Sequence, residues 1–271
     1  MKIHHLNCGT MCPIGGALVT GRSAGEVICH CMLVETEDGL VLIETGMGSD
    51  DVRDSKRLGP IRFVTRPQLH MRDTALEQVK ALGFSPSDVR HIILTHLDLD
   101  HAGGLPDFPK ARVHVLGSEL DAATHPPTRE EKMRYRNVQW AHGPDWVRHA
   151  PQGDSWMGFD AVRELDGLPP EFLMIPLNGH TRGHGGVAVE VSPDQWLLHA
   201  GDAYFYSGEM DCHHPHCPRG LRAFQQVAAV DDKQRRRNQH RLRELVRAEG
   251  ERVKIVCAHD PAELRAMQAG G

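Results

Sequence analysis

The sequence lacks any long apolar segment. No stretch approaches the ~20 apolar residues that span a bilayer, and no long apolar run follows the first five residues, as one would in a secretory signal peptide. The cysteines number seven, which is odd. These features predict a reduced, cytoplasmic protein with free thiols and no membrane partner.

A basic excess is also missing. The chain carries 31 Lys and Arg against 36 Asp and Glu, a formal net charge of −5, whereas proteins that bind nucleic acid usually show a basic excess. We therefore expect a small-molecule ligand and no nucleic-acid partner. There is no internal repeat, low-complexity tract or linker, so the 271 residues predict a single domain over 1–271. The oligomeric state does not follow from the sequence.

The chain shows groups of short apolar runs separated by helical patterns. Val27 to Val34 and Leu40 to Ile43 predict a β-hairpin around a polar turn. Residues 73–82 have helical spacing, and Gly83 ends that pattern. Further strands are predicted over 91–95, 112–116, 172–177, 186–191, 195–200 and 253–257, helices from 119 and over 231–249, an irregular insertion over 125–160 and a loop over 207–220.

The chain contains 19 histidines, and histidine is the commonest metal ligand in proteins. The strongest signal is His96-x-Asp98-x-Asp100-His101, directly after an apolar strand and before Ala102-Gly103-Gly104. Four potential ligands in six residues are unusual for a solvated acidic loop, which is the alternative interpretation. The pattern therefore predicts a metal site.

Three later segments repeat this arrangement, in which an apolar strand delivers a polar residue into a turn. They place His180, Asp202 and His259 at strand ends. Each is weak evidence alone, because a histidine at the end of a strand is more often structural. In chain order with the first motif they are far more specific.

The set resembles the metallo-β-lactamase superfamily, whose first motif is His-x-His-x-Asp-His. The resemblance runs from Val27 to His259 and implies an α/β fold, the four-layer αββα sandwich. Within the superfamily the sequence is most similar to the N-acyl-homoserine lactone lactonases. The segments that carry this closer likeness are Leu42-Ile43-Glu44-Thr45-Gly46, 100–104 and 179–184.

The resemblance implies a dinuclear centre and a hydrolytic reaction. One metal would lie on His96, Asp98 and His180, the other on Asp100, His101 and His259, with Asp202 bridging them. The implied enzyme opens a lactone or ester through a metal-bound hydroxide, with Asp100 also passing a proton to the leaving oxygen. Two divalent ions are expected, zinc first.

Three positions depart from the family pattern. Asp98 replaces a histidine, and because a carboxylate is a harder ligand, iron and manganese become alternatives to zinc. The lactonases place a tyrosine three residues after the bridging aspartate, where this chain has Phe205. Of the flanking tyrosines, Tyr204 is the favoured candidate to polarise a carbonyl, with packing as the alternative. Glu44 stands where the family has Asp and is a candidate hydrogen-bond partner for a ligand.

Other functions stay open at this point. A diiron redox protein would also have a carboxylate at position 98, although no flavin domain fits after His259. Thioesters, β-lactams and phosphoesters are alternative substrates. The Cys212 to Cys217 segment, rich in His, is either a further metal site or a mobile loop, and burial is expected for Cys29 and Cys31.

Overall fold

The computed structural model describes residues 1–22, 25–150, 153–160 and 165–270. Its strands, in chain order, are β1 (Lys2–Met11), β2 (Val27–Thr36), β3 (Gly39–Ile43), β4 (Pro67–Gln68), β5 (Val89–Ile93), β6 (Arg112–Leu116), β7 (Asp145–His149), β8 (Ser155–Trp156), β9 (Phe159–Asp160), β10 (Phe172–Pro176), β11 (Gly185–Ser192), β12 (Gln195–His199) and β13 (Val253–Val256).

Helices connect these strands. They are α1 (Gly16–Thr20), α2 (Ser49–Arg53), α3 (Arg62–Thr65), α4 (Ala75–Ala81), α5 (Leu99–Ala102), α6 (Gly117–Thr124), α7 (Arg129–Arg134), α8 (Arg219–Ala228), α9 (Asp232–Glu249) and α10 (Pro261–Ala269). Short 3₁₀ turns lie at Ser55–Leu58, Met71–Asp73, Pro86–Asp88, Leu105–Asp107, Asn137–Gln139, Gly201–Ala203 and Ser207–Met210.

The strands form two main sheets and a two-stranded ribbon of β8 and β9. The first sheet has seven strands in the order β4-β1-β2-β3-β5-β6-β7, and the second has four in the order β10-β11-β12-β13. The β2–β3 pair is the predicted antiparallel hairpin, whereas β3, β5, β6 and β7 run parallel. In the second sheet β12 and β13 are parallel. Parallel neighbours bring their carboxyl ends to one edge of a sheet.

The two sheets face each other across a shared apolar layer. From the first sheet it includes Met32, Ile43 and Ile93, and from the second Phe172 and Val187. Both faces of these strands are covered, which explains why their sequences are continuous apolar runs.

Helices cover the outer faces. Ala75 and Val79 of α4 pack on the first sheet, and Leu242 and Leu245 of α9 pack on the second. The Thr74 hydroxyl caps α4 by accepting the N–H of Glu77. The layers are therefore helix, sheet, sheet and helix, which confirms the predicted αββα fold.

The 125–160 segment differs from the prediction of an irregular insertion. It contains α7, then β7, which pairs in parallel with β6 and lengthens the first sheet, and then the β8–β9 ribbon. Its residues 151 and 152 lie outside the described residues. β7 is only five residues long, and its Asp145, Arg148 and His149 weaken the apolar pattern of a strand.

Among the helices of the described ranges, none has the length and apolar character needed to cross a membrane.

Candidate metal centre

The predicted ligands follow strands that end at one edge of the sandwich. The segment from His96 to His101 follows β5, and His180, Asp202 and His259 follow β10, β12 and β13. The chain passes from β5 into the single turn of α5, whose Asp100 and His101 lie next to each other. All seven predicted ligands are brought together, and they fall into two groups.

The first group consists of His96, Asp98, His180 and Asp202, whose nearest ligand atoms all lie within 4.8 Å of one another. Asp98 Oδ2 lies 3.3 Å from His96 Nε2 and 3.2 Å from His180 Nε2. Asp202 Oδ2 lies 3.1 Å from His180 Nε2. Two imidazoles with two carboxylates form a donor set that suits zinc, iron or manganese.

The second group consists of Asp100, His101 and His259. His259 Nε2 lies 3.7 Å from Asp100 Oδ2. Asp202 reaches this group too, because its Oδ1 lies 3.0 Å from His259 Nε2 and 3.3 Å from His101 Nε2. The Asp202 carboxylate therefore has an oxygen facing each group, as a bridging ligand requires.

The main chain holds Asp202 in this position. Gly201 has a φ of 53°, and a Cβ there would lie 2.6 Å from His184 Nε2. Glycine is the residue that adopts this φ without cost. His184 Nε2 in turn accepts the N–H of Asp202 at 2.8 Å, while its Nδ1 donates to Leu177 O. His184 is thus a structural histidine that holds the main chain of Asp202 in place.

Buried atoms at the centre fit a bound cation. Among the described residues, His96 Nε2, His101 Nε2 and Asp202 Oδ1 are buried without a hydrogen-bond partner. Such groups cost about 1–3 kcal/mol each unless something satisfies them. Burial would raise the pKa of Asp202, but His259, His101 and His180 together hold that pKa well below its usual value. The Asp202 carboxylate is therefore anionic.

Hydrogen bonds to the opposite ring nitrogens orient the imidazoles. Glu44 Oε2 lies 2.8 Å from His101 Nδ1, as expected for a carboxylate that orients a ligand. Glu44 Oε1 accepts the N–H of Thr95 at 2.7 Å. His259 Nδ1 lies 2.7 Å from Ile28 O, and His96 Nδ1 lies 2.9 Å from Thr95 Oγ1. Each of these contacts leaves Nε2 facing the centre.

A large pocket opens above the two groups. Its volume is about 1000 Å³, and Asp98, Asp100, His180, Asp202 and His259 are among the residues that line it. The apolar part of its wall, called the apolar pocket below, is formed by Met11, Ile14, Val19, Val27, Ile61, Val64, Leu99, Met133, Phe205, Leu221, Phe224, Val227 and Val230. The centre thus faces a cavity that suits a ligand with a long apolar part.

The metallo-beta-lactamase superfamily model matches residues 24–253, which is most of the chain. The chain belongs to this superfamily. The membership and the two ligand groups together indicate a dinuclear metal site.

Similar proteins agree with this membership. A probable metallo-hydrolase of Mycobacterium tuberculosis is 45% identical over 96% of this superfamily member and 81% of the relative. An N-acyl homoserine lactonase of Bacillus thuringiensis is 34% identical over 71% of the chain and 70% of the relative.

The fold also matches a solved structure. That structure is an N-acyl homoserine lactone hydrolase with the product N-hexanoyl-L-homoserine bound at its catalytic metal centre. The TM-score is 0.72 at 21% identity, and the match covers 98% of this chain and 95% of the other. This superfamily member is therefore a metal-dependent hydrolase related to the lactonases.

The tyrosine prediction does not fit the structure. Tyr204 is fully buried, and its hydroxyl donates to Glu263 Oε1 at 2.9 Å, away from the pocket. Phe205 lines the pocket instead, with its ring centroid 4.5 Å from that of His259. Tyr206 packs against Arg22 and His216. The packing alternative therefore holds for Tyr204, and the catalytic assignment is corrected.

The loops around the site contribute unequally. From the 125–160 segment, α7 and its flanks supply much of the wall, whereas from the 207–220 loop only Gly220 lines the pocket. The Cys212 thiol donates to Arg243 O, which places it against α9, and neither Cys212 nor Cys217 belongs to a candidate metal group among the described residues. Cys29 and Cys31 are buried, as predicted.

Sequence reasoning missed Arg134, which lies at the end of α7 and contacts Asp98 and His180. Burial and this guanidinium together lower the pKa of His180 to about 3, so its imidazole is neutral and free to act as a ligand. A signal for α7 does exist, because Thr128 and Glu131 have the spacing of a helix capping box. The Thr128 hydroxyl accepts a hydrogen bond from the N–H of Glu131 and donates one to the Glu131 carboxylate.

Proposed function

We propose that the protein hydrolyses a lactone that carries an apolar acyl chain, with an ordinary ester as the wider class. The observation that carries this proposal is that five of the seven candidate ligands, Asp98, Asp100, His180, Asp202 and His259, line the same cavity as the apolar pocket. The N-acyl homoserine lactonases among the relatives support the lactone as the reacting group.

The ligand set is proposed to hold two divalent ions. His96, Asp98 and His180 would hold one and Asp100, His101 and His259 the other, with Asp202 between them. When bound, such ions polarise a carbonyl and lower the pKa of a bound water to about 7, so that a nucleophile is present at neutral pH. Zinc is the proposed metal, and the carboxylate of Asp98 adds iron and manganese as alternatives.

The chain's own residues supply orientation and proton transfer. Asp100 is proposed to receive a proton and deliver it to the departing oxygen. Its position in the pocket wall beside His259 supports this role. Glu44 and Thr95 fix the ring orientations of His101 and His96. A preorganised centre of this kind loses little energy to reorientation during the reaction.

The apolar pocket is proposed to bind the acyl chain. Met133, Phe224 and Val227 come from α7 and α8 and are 71%, 40% and 87% exposed. Each methylene that these side chains remove from water contributes about 0.8 kcal/mol of binding free energy. A long chain should therefore bind better than a short one.

The test is a substrate panel for the metal-loaded enzyme. Acid release from lactones with short and long acyl chains is followed by pH-stat titration, beside a thioester and a phosphodiester. We expect lactone opening, faster at low concentration for long chains, and a loss of orders of magnitude in Asp202→Asn. Turnover of the thioester or phosphodiester without any lactone opening would refute the proposed substrate and leave the fold and the family untouched.

A further inference from the structure

The Arg134 guanidinium contacts the ligand atoms of the first group. Its Nε lies 2.5 Å from Asp98 Oδ1, and its Nη2 lies 2.5 Å from Asp98 Oδ2. The same Nη2 lies 2.5 Å from His180 Nε2. Asp98 Oδ2 and His180 Nε2 are also the atoms that approach each other to 3.2 Å within the first group. One positively charged side chain thus engages two of the atoms proposed to bind the first metal.

Contacts with the main chain hold Arg134 in place independently of those ligands. Its Nη1 donates to Ala228 O at 2.6 Å and to His180 O at 3.2 Å. Helix α7, which carries Arg134, is also anchored, because Glu131 on this helix forms an ion pair with Arg182 at 2.6 Å. The guanidinium is therefore a fixed positive charge beside the first group.

The second group differs from the first in its ionic contacts. In the described part of the chain, no lysine or arginine forms an ion pair with Asp100 or with Asp202, whose ionic contacts are all with histidines. The two groups therefore differ in charge. Asp98 adds a negative charge to the first group, and Arg134 offsets it.

We propose that Arg134 competes with metal at the first site and makes the two sites unequal in affinity. An arginine stays protonated at every physiological pH and prefers a bidentate contact with a carboxylate. An ion entering the first site must displace Nη2 from His180 Nε2 and Asp98 Oδ2, and it is also repelled by the positive charge that remains. The second site consequently fills first, and the first site fills only at a higher metal concentration.

This inference rests on the dinuclear site of the proposed function, but it does not depend on the substrate. The alternative role for Arg134, from the same contacts, is to orient Asp98 for the metal. The two roles predict changes of opposite sign when the guanidinium is removed, so one titration distinguishes them.

The experiment is a Co²⁺ titration of metal-depleted protein, followed by visible absorption and by calorimetry. The variants are Arg134→Met, which keeps the length of the side chain but removes its charge, and Arg134→Gln, which keeps a donor for Ala228 O. Lys132→Met is the matched control, because this exposed lysine on α7 loses the same charge without lining the pocket. Circular dichroism and the melting temperature check that each variant folds.

Wild type and Lys132→Met should bind one Co²⁺ tightly and a second weakly. Both Arg134 variants should tighten the weak step by on the order of tenfold or more, which corresponds to one displaced charge contact, and leave the tight step unchanged. His259→Ala, which removes a second-group ligand, should weaken the tight step instead.

Two results would overturn the inference. A weak step that is unchanged or weaker in both Arg134 variants would show that Arg134 does not compete with metal, and a weaker step would make it an orienting residue. Equal affinities at both sites of the wild type would also refute it. A chain that binds no metal, in wild type and variants alike, would instead refute the dinuclear site, and lactone inactivity with normal metal binding would refute only the substrate.

Discussion

Glu44 Oε2 lies 2.8 Å from His101 Nδ1 while Glu44 Oε1 accepts the N–H of Thr95, so one carboxylate satisfies two donors. Both residues of the Glu44–His101 pair are buried, with 1% and 2% of their surfaces exposed. Glu44 therefore fixes the ring orientation of His101 and turns its Nε2 toward the candidate metal centre.

Glu44→Gln should weaken metal binding at the second group by on the order of 10- to 100-fold. An amide has a single acceptor oxygen, so it cannot serve both Thr95 and His101. Competition with a chromophoric chelator measures the affinity. Glu35→Gln is the matched control. Glu35 lies at the turn end of the β2–β3 hairpin, whereas Glu44 follows the other end of β3, and Glu35 Oε1 lies 2.7 Å from His4 Nε2. Equal affinities in the two variants would contradict the orienting role of Glu44.

Tyr204→Phe should reduce stability and leave catalysis almost unchanged. Its hydroxyl donates to Glu263 Oε1, and burial raises the pKa of Glu263 to about 7. Removing the hydroxyl leaves a buried carboxyl with one partner fewer, which costs about 1–3 kcal/mol. Urea unfolding measures the loss, and steady-state lactone kinetics should show kcat within a factor of about two, since chemistry at the centre is untouched. A large fall in kcat at unchanged stability would restore the catalytic role for Tyr204.

The sequence predicts the clustering of the seven candidate ligands because local chain direction places each of them. A strand that ends at the sheet edge delivers the next polar residues to that edge, as at His96 and at Asp202. The ligand motif and its later partners therefore define the same cluster that the structure shows.

Features that depend on distant packing were not predicted. Whether Tyr204 or Phe205 faces the pocket depends on the extended backbone after the Gly201–Ala203 turn and on the burial of Glu263. Arg134 reaches Asp98 across 36 positions of the chain, and no spacing rule connects the two. β1 was also missed, because its histidines and asparagine interrupt the apolar pattern.

Phe224→Ala should raise the KM for long-chain lactones and leave short-chain lactones unaffected. Phe224 lines the pocket and packs edge-on against Phe205, with ring centroids 5.8 Å apart. A lost aromatic contact with the chain costs about 1–3 kcal/mol, a factor of roughly ten to a hundred in kcat/KM. Phe63→Ala is the control, because Phe63 is 65% exposed but does not line the pocket. A similar loss for short and long chains would place the acyl chain elsewhere.

Three histidines form a hydrogen-bonded chain across the first sheet, away from the metal centre. His91 Nδ1 lies 2.9 Å from His114 Nε2, and His114 Nδ1 lies 2.9 Å from His149 Nε2. Burial, followed by the neighbouring His149 and His91, lowers the pKa of His114 to about 3. The middle imidazole is therefore neutral in the folded protein at neutral pH.

This depressed pKa predicts an acid-dependent loss of stability. The unfolded chain takes up a proton at His114 below a pH of about 6.5, whereas the folded chain does not until a pH of about 3. Proton uptake therefore stabilises the unfolded state relative to the folded state as the pH falls through this window. His114 alone lowers the free energy of unfolding by about 2 kcal/mol between pH 7 and pH 5. The measurement is urea unfolding at pH 7 and pH 5 in the presence of a chelator, which removes metal release as a cause. The loss of unfolding free energy at the lower pH should be smaller for His114→Gln than for wild type. His240→Gln is the control, because the His240 side chain is 68% exposed, and this variant should lose as much unfolding free energy as wild type. An equal loss in His114→Gln and wild type would show that the buried histidine chain does not set the acid sensitivity.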